Sequence, residues 1–496
     1  MAGQTEQHLA ETLIDPENLD NPDGNWTKGE QQEPKCRDAW AAVLFYGQVI
    51  AIASVAGVLG VPAMEKFDST SQTSSSSTVD YTGLIYASLI AGGFSLILSS
   101  LSLFVMSCCP KLLIKISLLF SLLMSLLVVV ASFAMGNIVG GVFGAIFFLM
   151  SVCYACAVWS RIPFAAANLN TALTATKSNA GVIVVAYLIV MLSYVYVLVW
   201  MVALVGVYDK EGLCDTATTN SESGSSTTTT CQGNLAWGYF FLLLLSIFWS
   251  QQVFQNTIHT IIAGVVATWW FAPEDASSCC SVAIKDSFVR ATTKSFGSIC
   301  FGSLLVAIIK ALRAMAESAR NSGDNEGCAA FLLCLVECLL RCLEDALEYF
   351  NKFAYVYVGM YGYGYIEAGK NVITLFQQRG WSVIVSDNLI DNVLSLFCLI
   401  IGLLTGCAGL VMNEINPEWF SGYDGGAGTA AGIAFGFSFL VGLVISAITL
   451  SVIDSSVDTV LVCFAEGPAE FEQNHPELSS EMRDAWREVY PAECGF

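Results

Sequence analysis

The chain has 496 residues, of which 55% are hydrophobic and only 13% are charged, and its mean hydropathy is +0.62. Soluble globular proteins carry roughly 25% charged residues, so this composition leaves too little polar surface to cover a water-soluble fold. The charges are concentrated at the ends and in a few links, and long apolar runs lie between them. We therefore predict an all-α fold, a polytopic membrane helix bundle of about ten transmembrane helices.

Both ends of the chain are acidic, and the net charge is −21. Residues 1–38 are predicted to be a disordered acidic cytosolic tail, because eight acidic residues and one lysine lie between Met1 and Glu33. This segment lacks the basic start and short apolar core of a cleavable signal peptide, so the first span is expected to direct insertion. Residues 466–496 are predicted to be a second acidic cytosolic tail, and solvation is the expected state of both.

Residues 39–465 are predicted to form the transmembrane domain. Nine stretches are long and apolar enough for a 19-residue hydropathy window to indicate a span. They are Ala39–Ala63, Gly83–Met106, Leu112–Met135, Ile138–Trp159, Gly181–Tyr208, Leu235–Phe271, Ser295–Leu312, Leu389–Met412 and Ala430–Ile453. Ser/Thr-rich stretches after the first and fifth spans are interpreted as exposed loops.

A tenth span, Gly327–Lys352, is ambiguous. Leucines recur along one side of this stretch, while Glu337, Arg341 and Glu344 interrupt it at helical spacing, so it is either a shielded span or an interfacial helix. If it crosses, most basic links fall in the cytosol, as the positive-inside rule requires, but Arg313 and Arg320 fall outside. If it does not cross, the count is nine and the carboxy terminus lies outside.

The sixth span carries a cluster of polar residues in its middle. Its middle carries Gln251, Gln252, Gln255, Asn256 and His259, which are costly in hydrocarbon and are therefore expected to face other helices or a water-filled path. We expect His259 to be a hydrogen-bonded helix residue, not a metal ligand. No carboxylate is evident at the centre of a clear span, so the sequence offers no obvious agent for proton coupling or charge pairing.

Enzyme signatures are weak throughout, and we expect neither catalysis nor a cofactor. The chain has only three histidines, which argues against an intramembrane metalloenzyme built on several histidine ligands, and no metal site is expected. The near-match to a phosphate loop, Gly364 to Asn371, has asparagine where the motif requires serine or threonine.

Two cysteines share the predicted external loop after the fifth span. Cys214 and Cys231 lie outside the reducing cytosol in this topology, so we predict a disulfide that closes the loop. In the loop-entropy interpretation it would contribute roughly 3 kcal/mol to stability.

Four blocks resemble, in order, the choline transporter-like proteins, a eukaryotic solute-carrier family. The most characteristic is TKSFGSICFGSLLVAIIKALR at Thr293 to Arg313; the others are Ala263 to Phe271, Cys342 to Asn371 and Ser455 to Phe471. The short first external loop and the carboxy-terminal block are similar to the fungal and protist branch of the family. The resemblance covers most of Ala39 to Pro491.

The resemblance implies facilitated, sodium-independent transport of choline or a related small amine, at the plasma membrane or an organellar membrane. The expected partners are that amine and membrane lipid, with no nucleic acid, and the oligomeric state is left open. A transporter or channel for another solute, and a lipid scramblase or scaffold, remain alternative interpretations.

A quaternary ammonium has no N–H donor, so aromatic faces are its natural ligands, at about 0.5–2 kcal/mol per contact. We predict a cage from Tyr46, Tyr194 and Trp249, with Gln48 or Gln252 holding the hydroxyl of the substrate and Asn256 nearby. The competing interpretation is that each of these aromatic residues packs between helices or anchors at the membrane interface.

Overall fold

A computed structural model of the chain describes residues 31–64, 81–210, 214–221, 224–231, 237–321, 328–379, 385–420 and 427–489. Fifteen α-helices and one β-hairpin lie in these ranges. The first half contains α1 (Ala39–Val55), α2 (Tyr81–Cys108), α3 (Pro110–Ala134), α4 (Ile138–Val158), α5 (Ile162–Ser178), α6 (Gly181–Lys210), β1 (Cys214–Ser221) and β2 (Gly224–Cys231). Residues 1–30 of the predicted amino-terminal tail and the Ser/Thr cluster after the first span lie outside the described residues.

The second half contains the longer helices. These are α7 (Trp237–Phe271), α8 (Val282–Val289), α9 (Phe296–Asn321), α10 (Cys328–Tyr361), α11 (Tyr365–Arg379), α12 (Val385–Ile415), α13 (Ala427–Glu466), α14 (Pro468–Asn474) and α15 (Pro476–Val489). The all-α polytopic bundle predicted from composition is confirmed. The helix of α13 continues 13 residues beyond the predicted span end at Ile453, and α10 continues beyond Lys352.

Eight helices in the described part of the chain are long and apolar enough to cross a membrane. They correspond to eight of the nine clear predicted spans, all except the sixth, Leu235–Phe271, which is α7. The ambiguous tenth stretch, which is α10, is also not among them. Each of these two helices carries a run of polar or charged residues, which lowers its hydropathy. The predicted count of ten spans is therefore not confirmed.

The outer surface of the bundle is apolar, as expected for side chains that face lipid. Val43 on α1, Leu89 on α2 and Leu188 on α6 are each about two thirds exposed in the isolated protein. Helices approach each other closely where glycine replaces a larger residue. At Gly206 of α6, an added Cβ would collide with the backbone of Gly60, the last residue of the π-helical turn Ala56–Gly60 that continues α1.

The long helix α7 is the centre of the bundle, because it packs against α6, α9, α10 and α13. Helices α9 and α10 pack along each other, and α12 forms an extensive contact with α13. Three of these helices, α7, α10 and α13, meet at mid-length and bring their polar residues together.

Within the predicted carboxy-terminal tail, residues 468–489 form two helices that pack on the bundle. Helices α14 and α15 pack on α7 and α5, and they bury Phe471, Met482 and Trp486. Phe471 stacks on Trp270 of α7 with ring centroids 3.7 Å apart. Apolar residues at helical spacing, which the overall acidity obscured, explain this packing.

The segment after α6, interpreted as an exposed loop, contains the antiparallel β-hairpin of β1 and β2. Its Thr-rich strands suit extended backbone, because threonine is β-branched. Cys214 and Cys231 are directly opposite each other at the ends of the two strands. The register brings the two backbones together, and the disulfide between them stays a prediction.

Candidate functional site

A polar cavity of about 350 Å³ lies between α7, α10 and α13. Each helix contributes residues at positions i, i+3, i+4 and i+7, the spacing that places four side chains on one helix face. The three stripes are Gln252, Gln255, Asn256 and His259 on α7; Asp345, Glu348, Tyr349 and Lys352 on α10; and Ser451, Asp454, Ser455 and Asp458 on α13.

The cavity has an exposed mouth and a buried floor. Residues near the start of each stripe are exposed, namely Gln255, Asp345 and Ser451. Asp458 and His259, which end them, are buried at 1% and 8% exposure. The buried end of the cavity therefore lies towards the end of the bundle where α13 meets α14.

Negative charge predominates in the cavity, with four carboxylates against one lysine. Lys352 Nζ lies 3.1 Å from Asp458 Oδ1, and Glu348 Oε1 at the mouth lies 2.6 Å from Lys310 Nζ of α9. The excess of carboxylates gives the cavity a negative potential, which attracts cations and repels anions.

His259 ties α7 to both neighbouring helices. Its Nε2 is 2.8 Å from the carbonyl oxygen of Lys352, and its Nδ1 is 2.9 Å from Ser455 Oγ. A carbonyl oxygen can only accept, so Nε2 carries the proton and donates, which fixes the tautomer. The prediction that His259 is a hydrogen-bonded helix residue is confirmed.

The amide side chains of α7 are connected to the acidic face of α10. Gln252 Nε2 donates to Glu348 Oε1 at 3.0 Å, and Asn256 Nδ2 donates to Ser303 Oγ at 2.9 Å. The amide of Asn256 also lies 3.4 Å from Gln252 Oε1. These contacts orient two amides at the cavity wall, where a hydroxyl group can be hydrogen-bonded.

Of the six predicted binding residues, the structure brings Gln252 and Asn256 together in this cavity. Gln48 lies elsewhere, where its amide donates to Ser250 Oγ at 2.9 Å. The three aromatic residues are not assembled into one cage: Trp249 is buried against Phe45, while Tyr46 and Tyr194 are 53% and 58% exposed. The roles predicted for all six stay predictions.

The four carboxylates of the cavity were not among the predicted binding residues. Asp454 and Asp458 lie just beyond the predicted span end at Ile453, and Asp345 and Glu348 lie in the ambiguous tenth span. The expectation that no carboxylate lies at the centre of a clear span does not cover these positions, which lie beyond a predicted span end or in the ambiguous stretch. The repeated i, i+3, i+4, i+7 polar pattern on three separate helices was the signal that could have identified the site.

Fully buried aromatic residues separate the cavity floor from the adjacent end of the bundle. Phe353, Tyr355 and Tyr357 of α10 are at most 1% exposed. One turn further, the hydroxyls of Tyr357 and Tyr361 both donate to the carboxylate of Glu466, the last residue of α13. The bundle is thus closed on this side, here called the carboxy-terminal end.

Within the described ranges, no group of three or more His, Cys, Asp and Glu side chains has an arrangement that could hold a metal ion. Cys334, Cys338 and Cys342 follow one another along α10 as exposed, unpaired thiols.

Comparison with known proteins gives consistent matches. A profile of the plasma-membrane choline transporter family matches residues 141–469, which include all three cavity helices. Protein PNS1 of Gibberella zeae is 31% identical over 343 residues, covering 68% of this chain and 61% of that protein. Protein PNS1 of Cryptococcus neoformans is 28% identical over 483 residues, covering 94% and 84%. Protein PNS1 of Yarrowia lipolytica is 30% identical over 327 residues, covering 65% and 55%.

Proposed function

The chain belongs to the plasma-membrane choline transporter family, as its sequence blocks predicted, and on that premise we propose that it carries choline or a related small amine through the cavity between α7, α10 and α13. Family membership and the apolar helices make it a multi-pass membrane transporter. The substrate, the mode of transport and the binding residues are the proposal.

The observation that supports a cationic substrate is the excess of carboxylates in the cavity. A cation gains from Asp454 and Asp458, whereas an anion would be repelled and a neutral solute would gain nothing from them. The ring of Tyr349 adds an aromatic face, which attracts a quaternary ammonium by about 0.5–2 kcal/mol. Gln252 and Asn256 are the proposed partners of the hydroxyl.

Sodium-independent facilitation is consistent with this charge. A membrane potential that is negative inside favours entry of one positive charge by about 2.3 kcal/mol per 100 mV. A cationic substrate therefore needs no coupled sodium ion to accumulate. Replacing external sodium with potassium should leave the initial uptake rate unchanged once the membrane potential is clamped.

The test is uptake of labelled choline by purified protein in liposomes. The wild type should take up choline saturably, and the neutral isostere, in which a quaternary carbon replaces nitrogen, should not compete. Asp454→Asn should raise the half-saturating choline concentration about tenfold or more, because a charge partner of the substrate is lost. Glu414→Gln, at an exposed carboxylate on α12, is the matched control and should leave this value unchanged.

Two results would contradict the proposal. Uptake equal to that of empty liposomes, from protein shown to be folded, would exclude choline transport. Equal competition by the neutral isostere would show that the carboxylates do not select the substrate. A panel of ethanolamine and methylated amines in the same assay would define the preferred head group.

A further inference from the structure

Lys352 places a cationic group at the floor of the proposed site. Its ammonium lies 3.1 Å from Asp458 and 4.9 Å from the centroid of the Tyr349 ring. A second ring, that of Phe353, lies 5.2 Å away. An aromatic face and a buried carboxylate are the groups that a bound organic ammonium would require.

We propose that Lys352 is a tethered cation that occupies the substrate's cation subsite when the carrier is empty and leaves it when substrate binds. The inference rests on the proposed function, since it assigns the displaced position to the ammonium of the transported amine. Lys352 and the substrate would then alternate as partners of Asp458.

Burial of Asp458 favours such an alternation. This carboxylate is 1% exposed, and an uncompensated charge at that depth is strongly unfavourable. With Lys352 as its partner, the empty site contains a neutral pair. With substrate as its partner, the site is neutral again, so both forms of the carrier can rearrange without an unpaired charge at the floor.

The local structure gives the lysine side chain somewhere to move. The backbone at Lys352 is held, because its carbonyl accepts the proton of His259 Nε2. The four-carbon stem is flexible, and Glu348 lies one helical turn towards the mouth on the same face. A displaced ammonium can therefore pair with Glu348 while its backbone stays fixed.

If Lys352 replaces the substrate in the empty carrier, a substitution of Lys352 should affect net uptake more than exchange. Net uptake into vesicles without internal choline requires the empty carrier to return, whereas exchange of labelled for unlabelled choline needs only the loaded carrier. Lys352→Gln should lower net uptake relative to exchange about tenfold or more, because its empty form lacks the lysine partner of the buried Asp458. The choline concentration that gives half-maximal exchange should also fall, because the Lys352 ammonium no longer competes with choline for the subsite. Lys352→Arg should retain the wild-type ratio.

Lys285→Gln is the matched control, because it removes an exposed lysine on α8 that does not line the cavity, and it should leave the ratio unchanged. A second measurement uses the wild type alone. Saturating choline should raise the reaction of Lys352 with an amine-directed reagent several-fold, measured by peptide mass spectrometry, as the ammonium moves towards the mouth.

Three outcomes would overturn the inference. Equal loss of net uptake and exchange in Lys352→Gln would make the ion pair merely structural. Unchanged or reduced labelling of Lys352 in choline would show that the ammonium stays in place. A folded wild type that takes up no amine would remove the proposed function and this inference with it, whereas normal wild-type uptake with either of the first two results would remove the inference alone.

Discussion

Trp249, which was predicted to bind the substrate, is tightly packed in the structure. Its indole N–H donates to the carbonyl of Cys300 at 2.9 Å, and its ring packs edge-on against Phe45 at 5.4 Å. Trp249→Ala should therefore destabilise the protein by about 3–5 kcal/mol, the usual range for removing a buried tryptophan. Thermal unfolding of the purified protein in detergent is the measurement.

Trp249→Phe separates packing from binding, because it keeps most of the ring volume. If Trp249 only packs, this variant should retain the wild-type half-saturating choline concentration at a modest cost in stability. An increase of several-fold in that concentration, with the melting temperature retained, would instead support the predicted cage residue.

The site residues that could be predicted were those whose chemistry is unusual for their surroundings. Gln252 and Asn256 are amides inside an apolar helix, so their polarity indicated an inward orientation. Tyr46 and Tyr194 could not be oriented, because α1 and α6 are apolar on every side and lipid-facing and core-facing positions look alike. Asp454 and Asp458 were missed because hydropathy falls at the point where the helix itself continues.

Ion pairs between α9 and α10 explain how a charged helix can pack in this bundle. Arg313 Nε lies 2.7 Å from Glu344 Oε2, and Arg320 pairs with Glu337 at 3.1 Å. The two arginines that weakened the ten-span topology are thus partners of the acidic residues in the ambiguous stretch. Leu335 and Leu339 of α10 are exposed on the other side, as lipid-facing residues would be. We propose on this basis that α10 crosses the membrane.

Arg313→Ala should destabilise the protein by about 1–3 kcal/mol, because it leaves the buried Glu344 without a charged hydrogen-bond partner. The melting temperature should recover partly in Arg313→Ala/Glu344→Gln, which removes both charges. Arg487→Ala, at the exposed pair with Asp484, is the control and should cost less than about 1 kcal/mol. Equal melting temperatures for the two arginine variants would contradict a structural role of the α9–α10 pairs.

The β-hairpin after α6 carries a separate prediction at the level of one element. Cys214 and Cys231 are opposite each other in its register, so a disulfide requires no change of strand pairing. Non-reducing peptide mapping of protein from membranes should find the two peptides linked. Cys214→Ser should lower stability by roughly 3 kcal/mol, and reduction should reproduce this loss in the wild type only. Two free thiols in the untreated protein would exclude the bond.

The positions of the helices could be predicted because hydropathy measures the apolar character of the side chains, which places a helix in lipid. Helix ends were less predictable, since α10 and α13 continue through charged segments that pack against other helices. The packing of α14 and α15 was not predictable from net charge. Their acidic groups face outward while Phe471 and Trp486 are buried. Because the hydropathy of the segment averages the polar and the apolar helix face, the sequence is typical of a solvated tail.

In the described part of the molecule, the polar cavity lies beside an end of the bundle that is closed by side-chain contacts. At the carboxy-terminal end, Glu466 accepts from Tyr357 and Tyr361, and Trp270 Nε1 donates to the carbonyl of Gly467 at 2.8 Å. These contacts join α7, α10 and α13, the same three helices that line the cavity. Opening towards this end therefore requires the Glu466 contacts to break.

Glu466→Ala should shift the carrier towards a form that is open at the carboxy-terminal end, because both tyrosine hydroxyls lose their shared acceptor. Cys463, a buried thiol less than one turn before Glu466, is a native reporter of that opening. Its reaction with a small thiol reagent, resolved by peptide mass spectrometry, should rise several-fold in the variant. The exposed Cys407 on α12 should react at the same rate in both proteins, which controls for unfolding. Unchanged labelling of Cys463 would mean that the aromatic layer above it keeps this end closed without Glu466.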